Sequence, residues 1–261
     1  MQKNRLAISS LTWKSQPLVT AVEKAAHSGF AWVDLGILSW SQFGPLDLID
    51  SFDQHILPVK AALDKNGVRV SSLNAGIENS PRDPDGLLQA KALCRAARLL
   101  DAVAGVTLSP PASGQSIQDA AKALMPRVSL FADEGVQLMV ETHMHSLTES
   151  LPDTIMLLKA VPGLQITLDA SHYLVQGYQP DEITALLSRT GHAHIRACGR
   201  AGWDTIEVEP EQSTPLLFEW LRAMEQGGYN ALYGFEMIEG FHGIPDAEAS
   251  TMRLLQKVIT I

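Results

Sequence analysis

Cysteine is nearly absent: Cys94 and Cys198 are the two in 261 residues, too few for a disulfide framework and too far apart for a metal knuckle. Both are read as reduced thiols. Aromatic residues make up only 6%. No apolar run approaches the roughly 20 residues that span a bilayer, and Met1 to Leu11 lacks the apolar core of a secretory leader, so no membrane association and a cytoplasmic location are expected. Positive charge is also scarce. Twenty Lys+Arg against 29 Asp+Glu leave a net charge of −9, with no basic run, which disfavours nucleic acid as a ligand. The chain has no Gly-x-Gly-x-x-Gly after its first apolar strand and no Walker-type Gly-Lys-Ser/Thr, so nucleotide cofactors lose their support.

What the chain does have is alternation. Short apolar runs recur at Leu6–Ser10, Trp32–Leu35, Val68–Leu73, Gly105–Leu108, Val136–Glu141, Gln165–Asp169, Ala193–Arg196 and Leu232–Glu236, and read as strands. Segments of helical period separate them: Leu18–Ser28, Gln54–Asn66, Leu87–Asp101, Ile117–Glu134, Leu151–Val161, Asp181–Ser188, Pro215–Gln226 and Asp246–Val258. Several helices end in glycine, at Gly29, Gly67, Gly135 and Gly227-Gly228, the residue suited to a left-handed C-terminal turn. Eight strand–helix units of roughly 33 residues fill 1–261 without a linker, which predicts an α/β fold, a single (β/α)8 TIM barrel in one domain. An open doubly wound sheet is the alternative.

In such a barrel the chemistry lies at the C-terminal strand ends and the loops after them. The fifth to eighth strands deliver Glu141, Asp169, the pair His192 and His194, and Glu236 to that rim. Three converging carboxylates would repel one another unless a cation sat between them. An oxygen-rich set with one imidazole suits one divalent ion such as Mn2+, Mg2+, Co2+ or Zn2+. Because strand side chains alternate, both histidines share a face, and His194 stands nearer the rim.

The motifs Val-Glu141-Thr-His, Asp169-Ala-Ser-His172, His192-Ala-His194 and Gly-Phe-Glu236 together resemble the xylose isomerase-like superfamily of sugar isomerases and epimerases, with the ketose 3-epimerase branch nearest in motif. The resemblance covers about residues 137 to 240 and implies metal ligation by Glu141, Asp169, His194 and Glu236, with Mn2+ placed first among the ions. It further implies substrate contacts from His172, three residues after the aspartate, and Arg200, six after the histidine. The implied substrate is a small carbohydrate, a keto sugar or related polyhydroxy carbonyl compound. The implied chemistry runs through a cis-enediolate, with Glu141 and Glu236 as the acid/base pair. A dehydratase or decarboxylase acting on a sugar-derived keto acid is the main alternative. The superfamily's DNA-repair endonucleases need more rim histidines than this chain's 8 provide, and a basic groove.

Elsewhere on the rim, Trp13, Trp40 and Trp203 are read as apolar walls for a sugar ring or as packing residues, and Asn74 as a hydrogen-bond partner for a hydroxyl or a turn residue. His143 and His145 are read as lying outside the ligand set, and Glu207, Glu209 and Glu239 as facing water. Ser109-Pro110-Pro111 departs from the family's usual fourth strand end. The helix faces leave room for a homo-oligomer.

Overall fold

The computed structural model describes residues 1–199, 207–241 and 244–261. The first six strand runs are rich in Val, Ile or Leu, the seventh and eighth are not, and the eight pair in chain order as a closed parallel barrel. The strands are β1 Leu6–Ser9, β2 Trp32–Ile37, β3 Arg69–Ala75, β4 Val106–Leu108, β5 Leu138–Glu141, β6 Gln165–Asp169, β7 Thr190–Ile195 and β8 Tyr233–Phe235. The seventh differs most from expectation: it begins at Thr190 rather than Ala193, and a register shift beside β6 accommodates the extra residues.

Around the barrel lie α1 Leu18–His27, α2 Pro45–Asn66, α3 Leu87–Leu99, α4 Ile117–Asp133, α5 Leu151–Ala160, α6 Ser171–Leu174, α7 Pro180–Ile183, α8 Pro215–Gln226 and α9 Ala247–Val258. Their starts follow local chemistry. Ser116, Ser150 and Asp246 accept the backbone N–H three residues on, and Pro45, Pro152, Pro180 and Pro215 occupy first-turn positions where no donor is lost. Two helices depart from the expected spans. α2 begins nine residues before Gln54, because a non-helical Ser51 breaks the periodicity that the sequence reading follows. The expected helix Asp181–Ser188 is the short α7 followed by 3-10 turns over Thr184–Arg189. No helix among the described residues is long and apolar enough to cross a membrane.

The main apolar core is the cylinder between strands and helices, where Ile8, Val33, Leu35, Phe235 and Tyr233 of the strands meet Val22, Ile56, Leu93, Leu221 and Leu254 of the helices. The barrel interior is different. Ala7, Trp32 and Leu232 form a small apolar plug. The residues that alternate with the outward-facing ones are largely polar: Asp34, Ser72, Asn74, Thr107, Thr167, Asp169, His192, His194 and Glu236 are all buried. Buried polar groups persist only with partners. Thr107 and Thr167, on strands two apart, share a hydroxyl–hydroxyl bond of 2.6 Å inside the barrel.

Candidate metal and substrate site

Register brings the rim residues together. The β6–β7 pairing sets Asp169 opposite His194, and the β7–β8 pairing sets His194 opposite Gly234, two residues before Glu236. Ligand atoms of Glu141, Asp169, His194 and Glu236 all lie within 4.8 Å of one another. His194 Nδ1 stands 2.8 Å from Glu141 Oε1 and 3.2 Å from Glu236 Oε2. The two oxygens of Asp169 differ in their hydrogen bonding. Its Oδ1 accepts the Ser171 N–H at 2.9 Å and the Ser171 hydroxyl at 2.5 Å, while Oδ2 has no hydrogen-bond partner among the described residues. That buried oxygen faces Arg196 Nε at 3.2 Å and His172 Nε2 at 3.6 Å and stands within 4.8 Å of ligand atoms of two glutamates and an imidazole, an oxygen-rich set that fits a hard divalent cation and could hold one.

The two glutamates differ in environment. Burial, followed by the charge of Glu236, raises the Glu141 carboxyl above its ordinary range, with His194 opposing. Burial also disfavours the charged form of Glu236, but His194 and Arg196 outweigh it and hold that carboxyl low. Asn74 adds a hydrogen bond from Nδ2 to Glu236 Oε1 at 3.0 Å.

A pocket of about 490 Å3 opens above the cluster. Leu11, Leu38, Trp40 and Ile238 give it an apolar side, and Asn74, Glu141, His143, His145, His172, Arg196 and Glu236 a polar one. His172 accepts the Met144 N–H at Nδ1 (3.2 Å), so its other nitrogen carries the proton, and that Nε2 is buried without a hydrogen-bond partner among the described residues. Burial, then the neighbouring His143 and Arg196 charges, keep this imidazole neutral. His143 packs its ring on His172, 4.0 Å between centroids.

Several expectations change here. Trp13 is not among the residues lining the pocket: its indole N–H donates to Glu248 on α9 at 2.6 Å, and Lys24 lies over the ring, so it braces α1 and α9 against the first loop. Trp40 does line the pocket and is half exposed. His143, half-buried, and His145, exposed, line it too. Arg200 and Trp203 lie outside the described residues. Glu209 pairs with Arg253, and Glu239 accepts from Ser15.

Two residues that carry much of the electrostatics, Arg196 and Asp34, were given no role in the sequence analysis, and a third, Glu207, is placed differently from its expectation. Arg196 is fully buried; its guanidinium contacts Glu236, lies 3.2 Å from Asp169 Oδ2, and faces Glu207 at 3.6 Å. Its parity with His192 and His194 was the available signal. Asp34, a lone charge inside the apolar run Trp32–Ile37, accepts from both His192 and His194. Glu207 does not face water. It is fully buried, accepts the Ile238 N–H at 2.9 Å, and burial pushes its carboxyl up to about 7 against the pull of Arg196.

That last displacement has a measurable consequence. A carboxyl raised in the folded state contributes stability that is complete below its unfolded value of 4.5 and is lost as pH rises through about 7. Glu207→Gln abolishes this titration while keeping an acceptor for Ile238 N–H. Urea unfolding in chelator should therefore show the variant gaining on the unaltered protein by about 3 kcal/mol between pH 5 and pH 8. A constant difference across that range would mean that Glu207 is ionised throughout.

Comparison with known proteins follows the same lines. The family model described as xylose isomerase-like TIM barrel matches residues 22–252. A 3-dehydroshikimate dehydratase from Bacillus anthracis is 32% identical over 103 residues, which is 38% of this chain and 37% of that protein, so the match spans little more than a third of that relative's length. Among solved structures, a xylose isomerase-like TIM barrel protein from Mycobacterium smegmatis in complex with magnesium superposes with a TM-score of 0.76 at 14% identity, over 100% of this chain and 99% of that one. A D-allulose 3-epimerase from a Methylomonas species, in complex with D-allulose, gives 0.68 at 16% identity over 100% and 98%.

Proposed function

The chain belongs to the xylose isomerase-like TIM-barrel family, and from that premise we propose that it is a divalent-metal-dependent enzyme that moves a proton at the carbon beside a carbonyl in a small polyhydroxylated substrate, as an isomerase or epimerase. The observation that carries this reading is the gathering of Glu141, Asp169, His194 and Glu236 within 4.8 Å beneath a pocket of about 490 Å3. These four residues would hold the ion, with Mn2+ first among those that fit. When bound, it supplies a Lewis acid that polarises the carbonyl and acidifies the neighbouring carbon.

The protein's own groups supply the rest. Glu236, held ionised by His194 and Arg196, takes a proton. Glu141, the second glutamate lining the pocket, returns one. Paired carboxyls whose environments push them in opposite directions suit acid and base roles at one carbon. The His172 imidazole, whose Nε2 stands 3.6 Å from Asp169 Oδ2, and the Asn74 amide line the pocket and would meet substrate oxygens, while Trp40, Leu38 and Ile238 offer an apolar wall. Arg200, which the family resemblance assigns to substrate, remains part of this proposal.

A dehydratase is the second reading. The 32% identical stretch shared with the Bacillus anthracis enzyme favours it, and the imidazoles of His143 and His172 on the pocket wall suit a departing hydroxyl. One experiment tests both: NMR of ketose and keto-acid candidates in D2O with the purified protein and added Mn2+, Mg2+, Co2+ or Zn2+. The expected result is deuterium at a carbon adjacent to a carbonyl in one candidate. Recovery of an isomer identifies the epimerase or isomerase, and loss of water identifies the dehydratase. Absence of exchange with every ion would refute enediolate chemistry.

A further inference from the structure

Beneath the four rim residues lies a second polar cluster. Asp34 starts from β2, and β1 and β8 separate that strand from β7 around the barrel wall. Even so, Asp34 Oδ2 reaches across the interior to His192 Nε2 at 3.1 Å and His194 Nε2 at 3.0 Å. Its other oxygen accepts the buried Ser72 hydroxyl at 2.9 Å. The path crosses Gly234 of β8, where an added Cβ would sit 3.0 Å from His192 Nε2, 3.2 Å from Asp34 Oδ2 and 3.5 Å from the His194 ring. Glycine at that register position leaves the carboxylate room to pass. A buried charge placed so far from its own strand, fastened at both oxygens, does not arise from strand packing alone.

A carboxylate accepts and cannot donate, so each imidazole nitrogen facing Asp34 must carry its proton. For His194 the nitrogen left is Nδ1, which faces the carboxylates of Glu141 at 2.8 Å and Glu236 at 3.2 Å; a cation held among those carboxylates would take the lone pair of Nδ1 in place of the proton they otherwise share with it. We propose that Asp34 is a positioning residue for the metal, holding His194 with Nε2 protonated and Nδ1 turned to the ion, with Ser72 and Gly234 keeping Asp34 in place. The proposal rests on the metal reading given above. Carboxylate–histidine–metal relays of this kind typically contribute 10- to 100-fold in metal affinity.

Two measurements with Zn2+, a diamagnetic probe, test it. In long-range 1H–15N spectra of the Zn2+-loaded protein, the His194 ring, assigned by its disappearance in His194→Asn, should show a protonated Nε2 and a metal-bearing Nδ1. By calorimetric titration, Asp34→Asn should bind Zn2+ 10- to 100-fold more weakly, because the amide can turn an N–H toward the imidazole and demand the other tautomer. A His194 ring carrying Zn2+ on Nε2 overturns the proposal, as does an Asp34→Asn protein whose affinity stays within twofold of the unaltered one. Should Asp34→Asn fail to fold, the spectrum of the unaltered protein decides by itself. Failure of the unaltered protein to take up Zn2+, Mn2+, Mg2+ or Co2+ overturns the metal reading and this one together, whereas uptake with the wrong nitrogen removes only the role of Asp34.

Discussion

Glu236→Gln is expected to leave a folded barrel that has lost turnover by about 10^3-fold, within the 10^2 to 10^4 that a positioned acid/base group contributes. The substitution keeps the side chain's shape and the oxygen that Asn74 bonds. What disappears is the charge that His194 and Arg196 hold in place, and with it the group able to accept a proton. Because Glu236 is also one of the four proposed ligands, the assay belongs at saturating Mn2+, where weakened metal binding cannot masquerade as lost proton transfer. The readout is solvent deuterium entering substrate, alongside circular dichroism to confirm folding. Activity within a few fold of the unaltered protein would remove Glu236 from the acid/base pair and leave a mechanism with Glu141 as its only glutamate.

Arg196→Met should show the second large effect, and it appears in stability rather than turnover. The guanidinium is buried against Glu236, Asp169 and Glu207. Deleting one partner of a buried charge network leaves its opposite charges uncompensated, at a cost of about 3–5 kcal/mol. Two of these carboxylates belong to the set that would hold a metal, so a divalent ion can take over part of the neutralisation. The expectation is a loss of about 3–5 kcal/mol in chelator, most of it regained at saturating metal, measured by denaturant unfolding under both conditions. Equal losses with and without metal would show that Arg196 stabilises by packing its stem, with no electrostatic exchange between guanidinium and ion. The same geometry explains why Glu236 remains ionised at full burial while Glu141, without a direct arginine contact among the described residues, is pushed the other way.

The barrel was legible because its signals are local. An apolar run of strand length, a helical period and a glycine with positive φ at the turn, as at Gly67, are each set by neighbours a few residues apart, and eight repeats compound them. The strand ends bearing Glu141, Asp169, His194 and Glu236 could be read for the same reason, since alternation and chain order place them on one rim. Errors fell where locality breaks. Ser51 interrupts α2 without a proline or glycine to announce it, and Trp13 stands at a strand end yet turns to Glu248, 235 residues away.

Asp34, Arg196 and Glu207 depended wholly on tertiary structure. In sequence Asp34 is a charge in an apolar strand and Glu207 an acid in a polar loop, and nothing nearby gives either a partner. Closing the sheet brings Asp34 within 3.1 Å of His192, 158 residues on, and sets Arg196 beside Glu207 and Glu236. The sequence by itself determined the elements, their order and the rim that gathers the candidate ligands, because periodicity and strand alternation are short-range properties. The tertiary structure alone decided which buried charges face one another, because a pairing across a barrel interior depends on ring closure, register and the missing side chain of Gly234.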